Sequence, residues 1–123
     1  MSRNPANSSI LHGGARRLPL RWPNLPKDAV PPQVISRYVV APGEQCTLHV
    51  HTGKAELWVI VAGRGIASVG SDSHTVTEGD ILVTPPNVPH SLVNDGEVPL
   101  QFLNIVLPTG DAPITTTEIE AKP

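Results

Sequence analysis

His49-Val50-His51-Thr52-Gly53-Lys54-Ala55-Glu56-Leu57-Trp58-Val59-Ile60-Val61-Ala62 is the stretch that decides how this 123-residue chain folds. Along an extended strand successive side chains alternate faces, so His49 and His51 stand on one face, one pleat apart, and Val50 points the other way. Gly53 and Lys54 supply turn chemistry, and residues 55–62 read as the return strand, which brings Glu56 back beside the two imidazoles. His90 lies in a matching context downstream, at the start of a further strand. Together these residues offer three nitrogens and one carboxylate. That donor set suits one borderline divalent ion, iron, manganese, nickel, zinc or copper, and geometry rather than donor type selects among them.

Prolines mark the organisation around this stretch. Residues 1–32 hold six prolines among Asn, Ser and Gly, with no periodicity long enough for a core element, and are expected to form an irregular N-terminal arm. From Gly43 to Thr84 there is no proline, and β-branched runs separated by glycine predict strands at 44–51, 55–62, 65–70, 74–77 and 80–84, after an earlier run at 34–40. Pro85, Pro86 and Pro89 shape a rigid loop before a strand at 90–94. A turn at Asp95-Gly96-Glu97 precedes a long apolar strand at 100–107. Beyond Pro108, residues 109–123 read as a surface tail. Many short strands without helical stretches argue for an all-β antiparallel sandwich or barrel spanning 33–108.

The spacing of Gly43, His49, His51, Glu56 and Gly63 resembles the first signature motif of the cupin superfamily. Gly79, Pro85, His90 and Asn94 resemble the second, with Asn87 standing where the pattern has glycine. Asparagine tolerates a left-handed backbone, so the turn survives the departure. The resemblance covers about residues 34–107. It implies a jelly-roll barrel with a metal at its mouth, held by His49, His51, Glu56 and His90, as in a small single-domain cupin. Cupins span dioxygenases, decarboxylases, isomerases, epimerases, cyclases and pure binders, so activity depends on what surrounds the ligands.

Four protein donors leave roughly two positions open on an ion that prefers six, which favours catalysis on a small substrate chelating through two oxygens. The expected activity is that of a dioxygenase, an oxidoreductase using redox-active metal. The alternatives are a sugar or sugar-phosphate isomerase, epimerase or cyclase, and a metal-containing barrel that binds without turnover. The run from Glu56 to Val106 is also similar to the C-terminal cupin of bifunctional mannose-phosphate isomerases, whose nucleotidyl-transfer domain has no counterpart in these residues. Strand parity offers Gln45, Thr47 and Trp58 as possible substrate-pocket residues and turns Cys46 to the opposite face. His12, in the arm, and His74, in a turn region, are expected to be solvated, and Arg64 to be exposed.

A net charge of −2 with scattered signs gives no footprint for nucleic acid or an anionic membrane. No run is long and apolar enough to cross a bilayer, and no secretory leader is visible, so a cytoplasmic protein is expected. The single cysteine fits a reducing compartment. Placing Glu56, Trp58 and Ile60 inward turns Leu57, Val59 and Val61 outward. That face is too apolar for water, so either the arm covers it or, as the family resemblance also implies, a homodimer partner does.

Overall fold

The computed structural model of the chain describes residues 9–18, 20, 23–24, 26–28 and 34–119. Their regular structure is entirely strand: β1 (Ser9–Leu11), β2 (Ala15–Leu18), β3 (Val34–Val40), β4 (Gln45–Thr52), β5 (Lys54–Ala62), β6 (Arg64–Val69), β7 (Asp72–Thr77), β8 (Ile81–Thr84), β9 (His90–Val93), β10 (Leu100–Pro108) and β11 (Thr115–Glu118). From β3 to β10 these match the runs expected from alternation and glycine punctuation to within two residues at each end. They form two antiparallel sheets, ordered β1-β2-β3-β10-β5-β8 and β11-β4-β9-β6-β7. The jelly roll is therefore a two-sheet sandwich with open edges.

Turn chemistry sets the register. Gly63, between β5 and β6, has φ +81, and a Cβ there would lie 2.5 Å from the Pro99 carbonyl oxygen, so the corner excludes any side chain. Asn87 takes φ +66, the left-handed turn expected of it.

Inward-facing rows show why the two ends of the sandwich differ. On β3 the row is Ser36, Tyr38, Val40, and on β5 it is Glu56, Trp58, Ile60. On β10 it is Leu100, Phe102, Asn104, Val106, and every one of these ten side chains is buried. The ladder pairs Leu100 with Val40, Phe102 with Tyr38 and Ile60, and Asn104 with Ser36 and Trp58. One end is thus packed with Val40, Ile60 and Leu100, with Leu92 added from β9. Tyr38, Phe102 and Trp58 form a central aromatic stack with ring separations of 5.0 and 4.8 Å. The other end carries the polar residues Ser36, Glu56 and Asn104, with Val106 beside Glu56 in the ladder.

Two short strands lie within the segment expected to be irregular. The β1–β2 hairpin extends the first sheet by pairing β2 with the edge of β3. It does not lie over the outer face, where Leu57 and Val59 are half-buried and Ile81 and Val83 of β8 are 62% and 52% exposed. The tail contributes β11, which pairs with β4. His74 and Arg64 are exposed as expected, and Arg64 pairs with Asp95 at 3.1 Å.

Candidate metal centre

His49 and His90 are Cα partners across β4 and β9, and His51 follows one pleat along. Donor atoms of the three histidines lie within 4.8 Å of one another. From the facing sheet, Glu56 places Oε1 at 3.5 Å from His51 Nε2 and 3.8 Å from His90 Nε2. The structure thus brings all four expected residues together, and each is at most 4% exposed.

Each imidazole is held by its other nitrogen. His49 Nδ1 donates to the Thr47 carbonyl at 2.6 Å, and His90 Nδ1 donates to the Val88 carbonyl at 3.1 Å. His51 Nδ1 shares a 2.8 Å hydrogen bond with the Thr116 hydroxyl of β11. The two carbonyl bonds fix the tautomers of His49 and His90 and leave their Nε2 atoms as available donors, and the Thr116 bond orients the His51 ring. The carboxylate is held likewise: Trp58 Nε1 donates to Glu56 Oε1 at 3.2 Å, Asn104 Nδ2 donates to Oε2 at 3.1 Å, and Lys54 Nζ lies 3.0 Å from Oε2.

Electrostatics prepare the same groups for a cation. Burial lowers the His49 pKa to about 3, reinforced by the neighbouring histidines against the Thr47 bond, and burial likewise lowers that of His90. Both rings are therefore neutral at pH 7, with lone pairs unoccupied by protons. Burial alone would raise the Glu56 carboxyl, but the His51 bond, the Lys54 charge and the Asn104 amide outweigh it and hold it below the usual range.

The fit to a metal ion rests on one atom in particular. His90 Nε2 is fully enclosed and has no hydrogen-bond partner. Leaving a buried polar atom unsatisfied costs about 1–3 kcal/mol, and a cation among these four donors would remove that cost. With nitrogen and oxygen donors and no thiolate among the four, the set suits a borderline or hard divalent ion.

The surroundings correct three expectations. Cys46 does not face away from His49. Between Cys46 and His49 the β4–β9 register slips, three steps on β4 answering two on β9, and this bulge reverses the parity upstream of the histidine pair. Cys46, 1% exposed, consequently lines the cavity with Trp58, whereas Gln45 and Thr47 do not. Thr47 is instead buried with its hydroxyl bonded to the Glu118 carboxylate of β11. Burial also pushes the Cys46 thiol above its ordinary range, aided by the charges of Glu56 and Glu118.

His12 is not solvated. The turn after β1 holds it at φ +49, and its ring stacks on His49 with centroids 3.8 Å apart. Its Nδ1 meets Glu118 Oε2 at 3.1 Å, and its carbonyl accepts from the Thr47 N–H at 2.8 Å. A bulge and a docked hairpin leave no periodic trace, so these residues were invisible to parity. Asn104 could have been found, since it shares the inward row of Phe102.

The resulting cavity, about 460 Å³, has a largely apolar wall that includes Tyr38, Trp58, Phe102 and Val106, broken by His49, His51, Glu56, Arg17, Lys54, Ser36 and Asn104.

Comparison with known proteins agrees with this architecture. The profile of the Cupin domain family matches residues 36–106. The protein MJ1618 of Methanocaldococcus jannaschii is 34% identical over 71 residues, covering 58% of this chain and 57% of that protein. A mannose-1-phosphate guanylyltransferase of Klebsiella pneumoniae is 37% identical over 71 residues, covering 58% of this chain but 15% of the enzyme. The chain therefore matches little more than half of the first relative and a small part of the second. In fold, it resembles a predicted oxalate decarboxylase of Thermotoga maritima, with TM-score 0.70 and 24% identity over 89% of this chain and 100% of that one.

Proposed function

The chain belongs to the cupin domain family, and from that premise we propose that it is a metal-dependent enzyme whose small substrate chelates the ion through two oxygens. The observation that carries this is the enclosed, partnerless Nε2 of His90 beside three further held donors. His49, His51, Glu56 and His90 would hold the ion, and roughly two positions on a six-coordinate ion would remain for the substrate. A bound ion of this kind polarises a chelated oxygen and, if it is redox-active iron or manganese, allows dioxygen as co-substrate.

The chain's own residues supply orientation and dryness. Trp58 and Asn104 each fix one oxygen of Glu56, so the carboxylate cannot rotate away from the histidines. The stacked rings of Tyr38, Phe102 and Trp58 form a wall that keeps competing water from the chelated end. A dioxygenase acting on a hydroxy-ketone, catechol, dicarboxylate or enediol is the activity put forward.

Sugar-phosphate isomerisation is the second candidate, supported by the likeness to a putative sugar phosphate isomerase of Acidithiobacillus ferrooxidans, 28% identical with TM-score 0.55 over 58% of this chain and 47% of that one. Metal analysis of the purified protein, combined with oxygen uptake against a panel of chelators, separates the two. Iron with uptake supports the dioxygenase. Zinc or manganese with isomer formation replaces it by the isomerase, and a loaded but inert protein replaces both by a binding barrel.

The same proposal includes a homodimer in the cytoplasm. Among the described residues the hairpin does not lie over the face of Leu57, Val59, Ile81 and Val83, and a second subunit packed there would bury it. A buried free thiol at Cys46 suits a reducing compartment.

A further inference from the structure

Arg17 stands on β2, and its Cα pairs with that of Tyr38, whose side chain faces the cavity. The guanidinium Nε donates to the Oγ of the buried Ser36 at 3.0 Å, which orients the planar head, and Arg17 lines the cavity. No carboxylate answers it: among the described residues Arg17 has no acidic partner. The cavity's other cation, Lys54, is already paired with Glu56. Two fixed cations thus face one carboxylate, and a divalent ion would increase the positive excess.

A polar row connects Arg17 with the metal centre across the sheet. It runs from Arg17 on β2 to Ser36 on β3, Asn104 on β10 and Glu56 on β5, with Ser36 opposite Asn104 in the ladder and Asn104 bonded to Glu56. Neighbouring strands lie about 4.8 Å apart, and Arg17 is in register, through Tyr38 and Phe102, with Ile60, four residues along β5 from Glu56, so the Cα atoms of Arg17 and Glu56 are separated by roughly 19 Å. Glu56 is buried, and the exposed Arg17 side chain is held on Ser36 at the edge of the cavity, on the Glu56 side of its own register position, which leaves a span along the cavity for a two-ended molecule. A guanidinium with one nitrogen engaged still offers a fork of N–H donors that matches two oxygens of an oxyanion.

We propose that Arg17 is the specificity determinant of this site, gripping a carboxylate or phosphate at one end of the substrate while the other end chelates the metal. This rests on the chelating centre proposed above and narrows its substrates to anions with a distal oxyanion. Uncharged catechols, which place nothing at Arg17, are disfavoured. The hairpin that carries Arg17 is accordingly part of the binding site.

The test uses cobalt-loaded full-length protein and follows the visible cobalt spectrum during titration. Two probe pairs share a chelating end and differ in the tail: pyruvate against 2-oxoglutarate, and dihydroxyacetone against dihydroxyacetone phosphate. In one pair or both, the charged tail should tighten binding by about tenfold or more in the wild type. Arg17→Gln should abolish that preference while leaving the probe-free cobalt spectrum and the affinity of the tail-less probe unchanged, and Arg17→Lys should keep part of it. The pair that responds identifies a carboxylate or a phosphate as the group recognised. Tight binding with no tail preference, or a preference that survives Arg17→Gln, overturns the assignment to Arg17. If no probe binds the cobalt-loaded protein, the chelating centre falls and this proposal falls with it.

Discussion

Replacing His90 by alanine should abolish the stabilisation that metal confers while leaving the metal-free sandwich folded. His90 is 0% exposed, so truncating its ring costs on the order of 2–4 kcal/mol in lost burial and residual cavity. The Val88 carbonyl also loses its donor, worth about 1 kcal/mol. Against this, the substitution removes the enclosed, partnerless Nε2, whose burial costs about 1–3 kcal/mol. The net change in the metal-free protein is a destabilisation of about 2 kcal/mol, within the usual margin of a small domain. Metal linkage behaves differently. At a metal concentration of about 100 Kd the wild type gains about 2.7 kcal/mol, and a hundredfold loss of affinity leaves the variant only about 0.4 kcal/mol. At roughly 4 °C per kcal/mol for a domain of this size, metal should raise Tm by about 11 °C in the wild type and about 2 °C in His90→Ala. Thermal melts with and without EDTA, Mn2+, Co2+ and Zn2+, read with circular dichroism and metal content, measure both quantities. An undiminished metal-dependent rise in the variant would refute the placement of the site. Loss of the β signal from wild type on chelation would show instead that the ion holds the fold.

Three further outcomes follow from the geometry. His49 is depressed to about 3 in the folded state, so the unfolded chain takes up its proton first. Stability of the metal-free protein is then full above about pH 6.5 and falls on acidification by up to about 1.4 kcal/mol per pH unit for this group, with His90 acting in the same direction; a flat urea-denaturation profile between pH 7 and 5 would contradict it. Asn104→Leu and Trp58→Phe each free one oxygen of Glu56 and should weaken metal binding about 10–100-fold with little change in secondary structure, measured by competition with a chromophoric chelator. Val59 pairs with Ile81 beside the Leu57–Val83 pair on the outer face, so Val59→Glu should give a monomer or an insoluble protein, whereas an unchanged mass by light scattering at unchanged solubility would show that no partner covers this face.

Local rules determined much of this protein without reference to its fold. Period-2 alternation and glycine or proline punctuation located eight strands, because each strand is specified by its own residues and the turns flanking it. Close spacing made His49 and His51 neighbours, and a single hairpin returned Glu56 to them, so most of the ligand set was legible in eight consecutive residues. Tertiary structure decided everything that depends on register between distant segments. The bulge between Cys46 and His49 turned Cys46 into the cavity and left Gln45 and Thr47 outside its lining, since one extra residue on a strand reverses every side chain upstream. Docking of the N-terminal hairpin on β3 carried His12 onto His49 and Arg17 over the cavity, and pairing of β11 with β4 brought Glu118 and Thr116 to the rim. Those contacts join residues up to 106 positions apart in the chain, and no local pattern records them, because burial and hydrogen bonding between distant strands exist only once both sheets have formed.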